Sequence, residues 1–297
     1  MTNASNALRS NTQAGRLIIV PTPLGNLGDM TYRAVEALRT CDVVCAEDTR
    51  VTGKLLAHFD IEKRIERLDE ALISARAEKL MQRVLDGEVI AYCSDAGMPG
   101  VSDPGLRLVA AAHAQGVCVE VLPGPTAVAC AYVASGTICP RFYFGGFFPR
   151  KTQEQLSCLE ALRSLDAALV FYESPRRLVA ALKVVAQVFP HREVAVCREL
   201  TKLHEEVARG RAEELVCVFE ASAEEPGGIR GEIAFVIDVA PASEMEESQA
   251  SVALSAEARA RELAEEGIRT KAIAKALVAE YGLARNDAYE LAMRAQG

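Results

Sequence analysis

Short apolar, β-branched runs recur along most of this chain, and between most of them lie segments whose apolar residues return at helical spacing. The runs are RLIIV, DVVCAE, EVIAYCS, VCVEVL, RFYFGGFF, ALVFYE, EVAVCREL and GEIAFVID, the first opening at Arg16 and the last closing at Asp238. The segments between them include YRAVEALRTC, ALISARAEKLMQRVLDG, GLRLVAAAHAQG, SPRRLVAALKVVAQVF and AEELVCVFEAS. Continuous apolar strands separated by helices are the pattern of sheets covered by helices, so the fold class is α/β. At 297 residues, half of them hydrophobic, the chain fills about two domains of ordinary size.

Glycine, proline and charge gather after the strands. RLIIV leads into PTPLGNLGD, DVVCA into Glu47-Asp48-Thr49-Arg50, and EVIAYC into SDAGMPGVSDPG. VCVEVL leads into PGPTAV, ALVFY into Glu173-Ser174-Pro175-Arg176-Arg177, and EVAVC into Arg198-Glu199-Leu200-Thr201-Lys202. One such loop needs these residues for its turn alone. Six on the same edge point to a ligand-binding edge. The phosphate-binding patterns G-x-x-x-x-G-K-[ST] and G-x-G-x-x-G are missing, which disfavours a nucleoside triphosphate or a dinucleotide. SDAGMPGVSDPG lets bare backbone approach a flat ring, with Asp95 or Asp103 accepting hydrogen bonds from hydroxyls. A helix starting after PGP, with Thr126 as its N-cap, offers unpaired N–H groups to a carboxylate. A nucleoside joined to an amino acid, as in S-adenosylmethionine, fits both features.

Charge narrows the partners. The chain carries 41 acidic against 33 basic side chains, a net −8, so any contact with nucleic acid must be local. Nine cysteines form an odd set without a C-x-x-C pair, and Cys45, Cys93, Cys197 and Cys217 sit in apolar runs, which reads as reduced thiols in a cytoplasmic protein. His58, His113, His191 and His204 lack metal-ligand spacing, so no metal is expected. Residues 1–14, MTNASNALRSNTQA, read as a frayed polar terminus without a signal-peptide core, and no run approaches a membrane span. PASEMEESQASVALS, residues 241–255, has no apolar period and reads as a linker. Residues 256–297 read as a helical tail punctuated by Gly267 and Gly282. There Arg269, Lys271, Lys275 and Arg285 outweigh Glu280, giving a basic face for an RNA backbone or, equally, a solvated face or dimer clasp.

The ordered motifs VPTPLGNLGDMT, AEDTRVTGKLL, SDAGMPGVSDPG, LPGPTA, YESPRRL and RELTKLHEE, within residues 15–240, resemble the ribosomal RNA small subunit methyltransferase I family, of the tetrapyrrole-methylase-like fold. That resemblance implies two α/β domains, 15–124 and 125–240, with the cofactor in the cleft between them and usually a homodimer. It implies methyl transfer from S-adenosylmethionine to the ribose 2′-hydroxyl of a cytidine in small-subunit ribosomal RNA, naked or in the assembled subunit. Carried over by motif, the cofactor contacts are Pro23, then Asp95, Ala96, Gly97, Val101 and Ser102, then Thr126 and Ala127, and finally Tyr172, Leu200 and Gly231. Two positions depart from the family's usual pattern: Thr126 stands in place of serine and Met98 in place of threonine.

Methyl transfer asks the enzyme to align the acceptor oxygen, exclude water and remove a proton from a weakly acidic hydroxyl. Glu47, Asp48 and Arg50 stand at a strand end, with Lys54 one helical turn later. One carboxylate there can take the proton while Arg50 or Lys54 holds a phosphate; with equal weight, Asp48 caps the following helix and pairs with Arg50. Glu173 is the alternative base. Arg176 and Arg177 open a helix, where positive charge opposes the macrodipole, so RNA or a buried carboxylate is expected to compensate. Two other classes share these features: a methyltransferase acting on a tetrapyrrole, and a non-catalytic RNA-binding assembly factor.

Overall fold

The computed structural model describes residues 15–296, and of residues 242–252 it describes the backbone alone. The terminus expected to fray, residues 1–14, lies outside the described residues. The chain divides into two compact units, one ending at Val239 and one beginning at Ala240.

The first unit holds two five-stranded sheets. In one, β1 (Arg16–Ile19), β2 (Val43–Ala46), β3 (Ile65–Arg67), β4 (Val89–Cys93) and β5 (Val119–Val121) run in the order β3-β2-β4-β1-β5, all parallel. Alternate residues of its strands feed two separate cores. Leu17, Ile19, Ile90 and Tyr92 pack on one face against α3 (Glu70–Leu85) and α4 (Leu106–Ala114). Ile18, Val20, Ala91 and Cys93 pack on the other with Leu38 of α1 (Tyr32–Thr40) and Leu56 of α2 (Thr49–His58). Both faces are covered, which is why these strands are apolar without alternation. Helices α1 and α3 start where the sequence supplies acceptors: the Thr31 hydroxyl accepts from the Ala34 N–H and the Asp69 carboxylate from the Leu72 N–H.

The second sheet is mixed. Its strands β6 (Phe142–Phe147), β7 (Ala168–Glu173), β8 (Glu193–Arg198), β9 (Glu206–Arg211) and β10 (Ile233–Ile237) run in the order β6-β7-β10-β8-β9, with only β6 and β7 parallel. Phe171, Val196 and Phe235 bury one face with α7 (Leu178–Val188) and α8 (Ala212–Glu224); Val170, Ala195 and Ala234 bury the other against α5 (Ala127–Ala134). Strands β3 and β9 and helix α6 (Thr152–Ala161) escape the apolar pattern. β9 is an edge strand that alternates half-buried with exposed residues, and TQEQLSCLEA carries few apolar residues.

In the second unit, α9 (Ala242–Glu265), α10 (Thr270–Tyr281) and α11 (Arg285–Gln296) enclose a small core of Ala256, Ala260, Leu263, Ile273, Leu277, Ala288 and Ala292. Residues 241–255, read as a linker, enter α9 at Ala242: their alanine and glutamate favour helix even where no apolar period exists. Gly282, one of the two glycines read as punctuating the tail, ends α10 at φ 67° in the left-handed C-cap conformation.

Candidate active site

Loops from both sheets of the first unit line a cavity of about 400 Å3, within the range that encloses a cofactor-sized molecule. The SDAGMPGVSDPG loop supplies Asp95, Ala96, Gly97, Met98, Val101, Ser102 and Asp103. Thr126 and Ala127 enter from the start of α5, Tyr172 and Glu173 from the end of β7, Leu200 from the loop after β8, and Gly231 from the approach to β10. Of the eleven residues carried over by motif, ten therefore meet at one cavity. Pro23 is not on its wall; Leu24, its neighbour, is.

The first loop reaches the cavity because it is stitched to the third. The Thr22 N–H donates to the Gly97 carbonyl at 2.9 Å and the Gly97 N–H to the Thr22 carbonyl at 3.0 Å. Gly97 adopts φ 76°, and a Cβ there would lie 3.1 Å from Leu24 Cδ2, so glycine answers both the conformation and the space. Gly25 is required by approach alone: a Cβ would stand 2.2 Å from Lys202 Cγ, in the loop after β8. PTPLGNLGD is thus a wall piece clasped between two other loops. Its Asn26 side chain accepts from the Gly28 N–H and caps a single 3-10 turn, Leu27–Asp29.

Strain and unused polar atoms concentrate here. Ser102, Glu199 and Thr201 have φ of 62°, 52° and 67°, in the left-handed region that L-residues rarely occupy, and such strain gathers at functional sites. Glu199 Oε1 accepts from Lys202 Nζ at 2.8 Å and from the Glu232 N–H at 2.9 Å, and Lys202 Nζ also reaches Glu232 Oε2 at 3.0 Å, which pins Leu200 and Gly231. Thr126 does begin α5, but its hydroxyl makes no capping bond, and Oγ1 is buried without a hydrogen-bond partner. The Glu173 side chain is 0% exposed. Its Oε1 accepts from the Ser174 N–H at 2.6 Å and pairs with Arg177 Nη2 at 2.5 Å, while Oε2 is buried without a partner. Two orphaned polar atoms on one wall are a cost that a bound molecule removes.

The carboxylates divide by surroundings. Asp48 Oδ1 accepts from the Arg50 N–H at 2.8 Å and its Oδ2 from Arg50 Nη2 at 2.6 Å, which hold this carboxyl well below the usual carboxylate range. Asp48 is the N-cap of α2, the arrangement weighed against a catalytic role, and neither Glu47, Asp48 nor Arg50 is on the cavity wall. Burial, then the charge of Asp95, raises Glu47 above the ordinary range. Asp103 is pushed up to about 6, by burial first and then by Glu47 and Asp95. Among the described residues no group of three or more His, Cys, Asp or Glu is arranged to hold a metal ion.

A family model described as Tetrapyrrole (Corrin/Porphyrin) Methylases matches residues 16–216. The chain belongs to this family. Ribosomal RNA small subunit methyltransferase I of Halalkalibacterium halodurans is 43% identical over 202 residues, 68% of this chain and 70% of that protein. The protein of the same name from Mycobacterium bovis is 40% identical over 288 residues, 95% of this chain and 96% of its own length. A crystal structure of diphthine synthase superposes with a TM-score of 0.58 over 77% of this chain and 93% of that one; at 18% identity it speaks for the fold alone. The tetrapyrrole methylase fold expected from the motifs is the observed one.

Within this methylase fold, the basic residues singled out from the sequence separate. Arg177 turns inward to Glu173 and to the carbonyl oxygens of Phe148 and Pro149, so a buried carboxylate compensates it and its guanidinium is occupied. Lys54 and Arg176 are exposed. In the tail, Arg269, Lys271, Lys275 and Arg285 are exposed and form no ion pair among the described residues. The motif reading also missed wall residues. Phe147 belongs to FYFGGF, where the register between β6 and β7 shifts between Phe144 and Phe147, and its ring sits 5.7 Å from that of Tyr172. Two glycines inside an aromatic strand were the available signal, since such pairs mark bulges beside functional sites. Glu232 and Ala234 offered no signal distinguishing them from ordinary strand residues.

Proposed function

We propose that this methyltransferase moves a methyl group from S-adenosylmethionine to the ribose 2′-hydroxyl of a cytidine in small-subunit ribosomal RNA. What carries the reading is the reach of the similarity: relatives named ribosomal RNA small subunit methyltransferase I match 95% of the chain, not its methylase fold alone. The tetrapyrrole alternative draws on the family description and on the likeness to solved structures such as uroporphyrin-III-C-methyltransferase from Thermus thermophilus, which at 21% identity speaks for the fold alone.

The wall chemistry fits the cofactor. Apolar Leu24, Val101, Tyr172 and Leu200 suit a purine, while the unpartnered Thr126 hydroxyl and Glu173 Oε2 supply a donor or acceptor and an acceptor of the kind that amino-acid groups bind. The residues that would hold it are the backbone from Asp95 to Gly97, Val101 and Ser102, Thr126 and Ala127 at the helix start, Tyr172, Leu200 and Gly231, with Pro23 supporting Leu24. Bound there, S-adenosylmethionine supplies an already activated sulfonium methyl. The chain's own tasks are to orient the acceptor hydroxyl, exclude water and take its proton. The exposed cations Lys54, Arg176, Arg269, Lys271, Lys275 and Arg285 provide local positive charge for RNA on an acidic protein.

The same reading takes residues 15–124 and 125–240 as two α/β domains and 256–297 as a helical RNA-contacting domain. The enzyme is read as a cytoplasmic homodimer, for which exposed Val133, Ile138 and Tyr143 offer apolar surface. Methyl transfer from labelled S-adenosylmethionine, offered to small ribosomal subunits and to porphyrin precursors in parallel, tests the proposal. Label in the RNA supports it, label in the tetrapyrrole replaces it, and cofactor binding without transfer to either leaves the assembly-factor alternative.

A further inference from the structure

Methyl transfer to a hydroxyl needs a proton acceptor, and four carboxylates line the cavity: Asp95, Asp103, Glu173 and Glu232. They differ in exposure and in what already holds them. Asp95 Oδ1 accepts from the Asp48 N–H at 3.0 Å and so ties the loop after β4 to the start of α2. Glu173 has a side chain without any exposed surface and is paired with Arg177 at 2.5 Å. Glu232 holds the Lys202 ammonium at 3.0 Å. Asp103 alone among them is half-buried on the wall and forms no ion pair among the described residues. Its backbone position is enforced: Ser102 before it is left-handed at φ 62°, and Gly105 two residues later has φ 143°. The cavity it borders also carries the orphaned Thr126 and Glu173 oxygens, so the aspartate stands beside a place that calls for a ligand.

We propose that Asp103 is the proton acceptor of the methyl-transfer reaction. The assignment rests on the function proposed above. The acceptor hydroxyl gives its proton to the Asp103 carboxylate as its oxygen forms a bond to the methyl carbon. The carbon–sulfur bond breaks, the bonding pair stays on sulfur, and the products are a ribose methyl ether, a neutral thioether and a protonated Asp103. Water restores the carboxylate after release. No further reactant is needed.

The groups that face Asp103 prepare it for the role. Glu47 from the end of β2, Asp95 from its own loop and Glu232 from before β10 place negative charge around it, and a hydrogen bond from the Ser94 hydroxyl partly offsets them. The Tyr92 and Tyr172 phenols also sense its charge, and burial raises both, Tyr172 to about 12, so each stays neutral near pH 7. With burial, these neighbours hold the Asp103 carboxyl at about 6, where it is ionised at neutral pH and a stronger base than a free aspartate.

The test pairs single-turnover methylation of small-subunit RNA across pH 5 to 9 with calorimetric titration of S-adenosylmethionine, using the full chain. The parental rate should fall below about pH 6 as the acceptor is protonated. Asp103→Asn should lower the plateau by ~10²-fold or more, abolish the acid limb and leave cofactor affinity within a few-fold. Asp103→Glu, which restores the carboxylate, should recover part of the rate together with the limb. A rate for Asp103→Asn within a few-fold of the parent, or an acid limb unchanged in it, overturns the assignment. Loss of cofactor affinity in step with the rate overturns it too, by making Asp103 a cofactor ligand. If the parental protein binds no cofactor or methylates no RNA at any pH, the underlying functional reading falls and the assignment falls with it.

Discussion

The seam between the first and third loops offers the sharpest perturbation of the cofactor cavity. Gly97 lies on its wall at φ 76°, with both backbone polar groups bonded to Thr22. Any L-residue there pays about 1–2 kcal/mol for the left-handed conformation. An alanine Cβ would stand 3.1 Å from Leu24 Cδ2, the end of a flexible side chain that can swing aside, and 3.7 Å from the Pro125 carbonyl, which is ordinary contact. Gly97→Ala should therefore cost only the conformational term, a fall in melting temperature of about 2–8 °C for a unit of this size. Valine adds branching that the left-handed region tolerates worst and pushes two methyl groups against the Leu24 wall. Gly97→Val should weaken S-adenosylmethionine binding by at least tenfold, about 1.4 kcal/mol or more, beyond the loss in the alanine variant. Thermal unfolding and calorimetric titration of the three proteins read both quantities. A Gly97→Val protein that melts with the parent and binds cofactor with parental affinity would show that this loop neither lines the site nor carries the strain described.

Asp48→Asn keeps an N-cap acceptor of nearly equal quality and removes only the ion pair with Arg50, so turnover should stay within a few-fold of the parent in a steady-state assay. A ~10²-fold loss with cofactor binding intact would return the proton-acceptor role to this residue. Asp103 carries a pKa raised from 3.8 to about 6 in the folded protein. The sign follows from linkage: its contribution to stability is fully present below about pH 4 and is lost as pH rises through about 6. Asp103→Asn should accordingly raise the melting temperature relative to the parent at pH 8 more than at pH 4, a comparison that scanning calorimetry makes directly. Changing Arg269, Lys271, Lys275 and Arg285 together to glutamine in the full chain should leave cofactor affinity unchanged and flatten the salt dependence of RNA binding by about 3 in the log–log slope. An unaltered slope would assign those cations to solvent.

Much of this architecture is legible in the sequence for a physical reason. Strands buried on both faces, such as VVCA and IAFVI, must be apolar throughout, and loops that let a ligand approach must carry glycine and proline, so β2, β10 and the SDAGMPGVSDPG wall announce themselves. Edge elements do not: Glu206–Arg211 needs only one half-buried face, and EVARGR, with three charges, a glycine and a single valine, looks like loop. The tail's first helix is equally silent, because PASEMEESQASVALS has helical propensity without an apolar face. Side-chain direction is the other limit. Arg176 and Arg177 are the same residue type in adjacent positions, yet one is exposed and the other is spent on Glu173. Nor does sequence spacing reveal that Asp48 is neutralised by Arg50 while Asp103, fifty-five residues later by number, has no such partner. The last of those differences arises from pairing within one sheet, which sets the loops after β2 and β4 side by side and so places Glu47, Asp95 and Asp103 near one another, where Asp95 raises Glu47 and both raise Asp103.

The acceptor proposed for this enzyme is a ribose hydroxyl of small-subunit ribosomal RNA. Small subunits incubated with this enzyme and S-adenosylmethionine carrying an isotopically labelled methyl group can be digested to nucleosides, and the labelled product identified by mass spectrometry. A single labelled species, 2′-O-methylcytidine, is expected, with the mass increment in the ribose fragment. Label in the base fragment, or in a nucleoside other than cytidine, would contradict it.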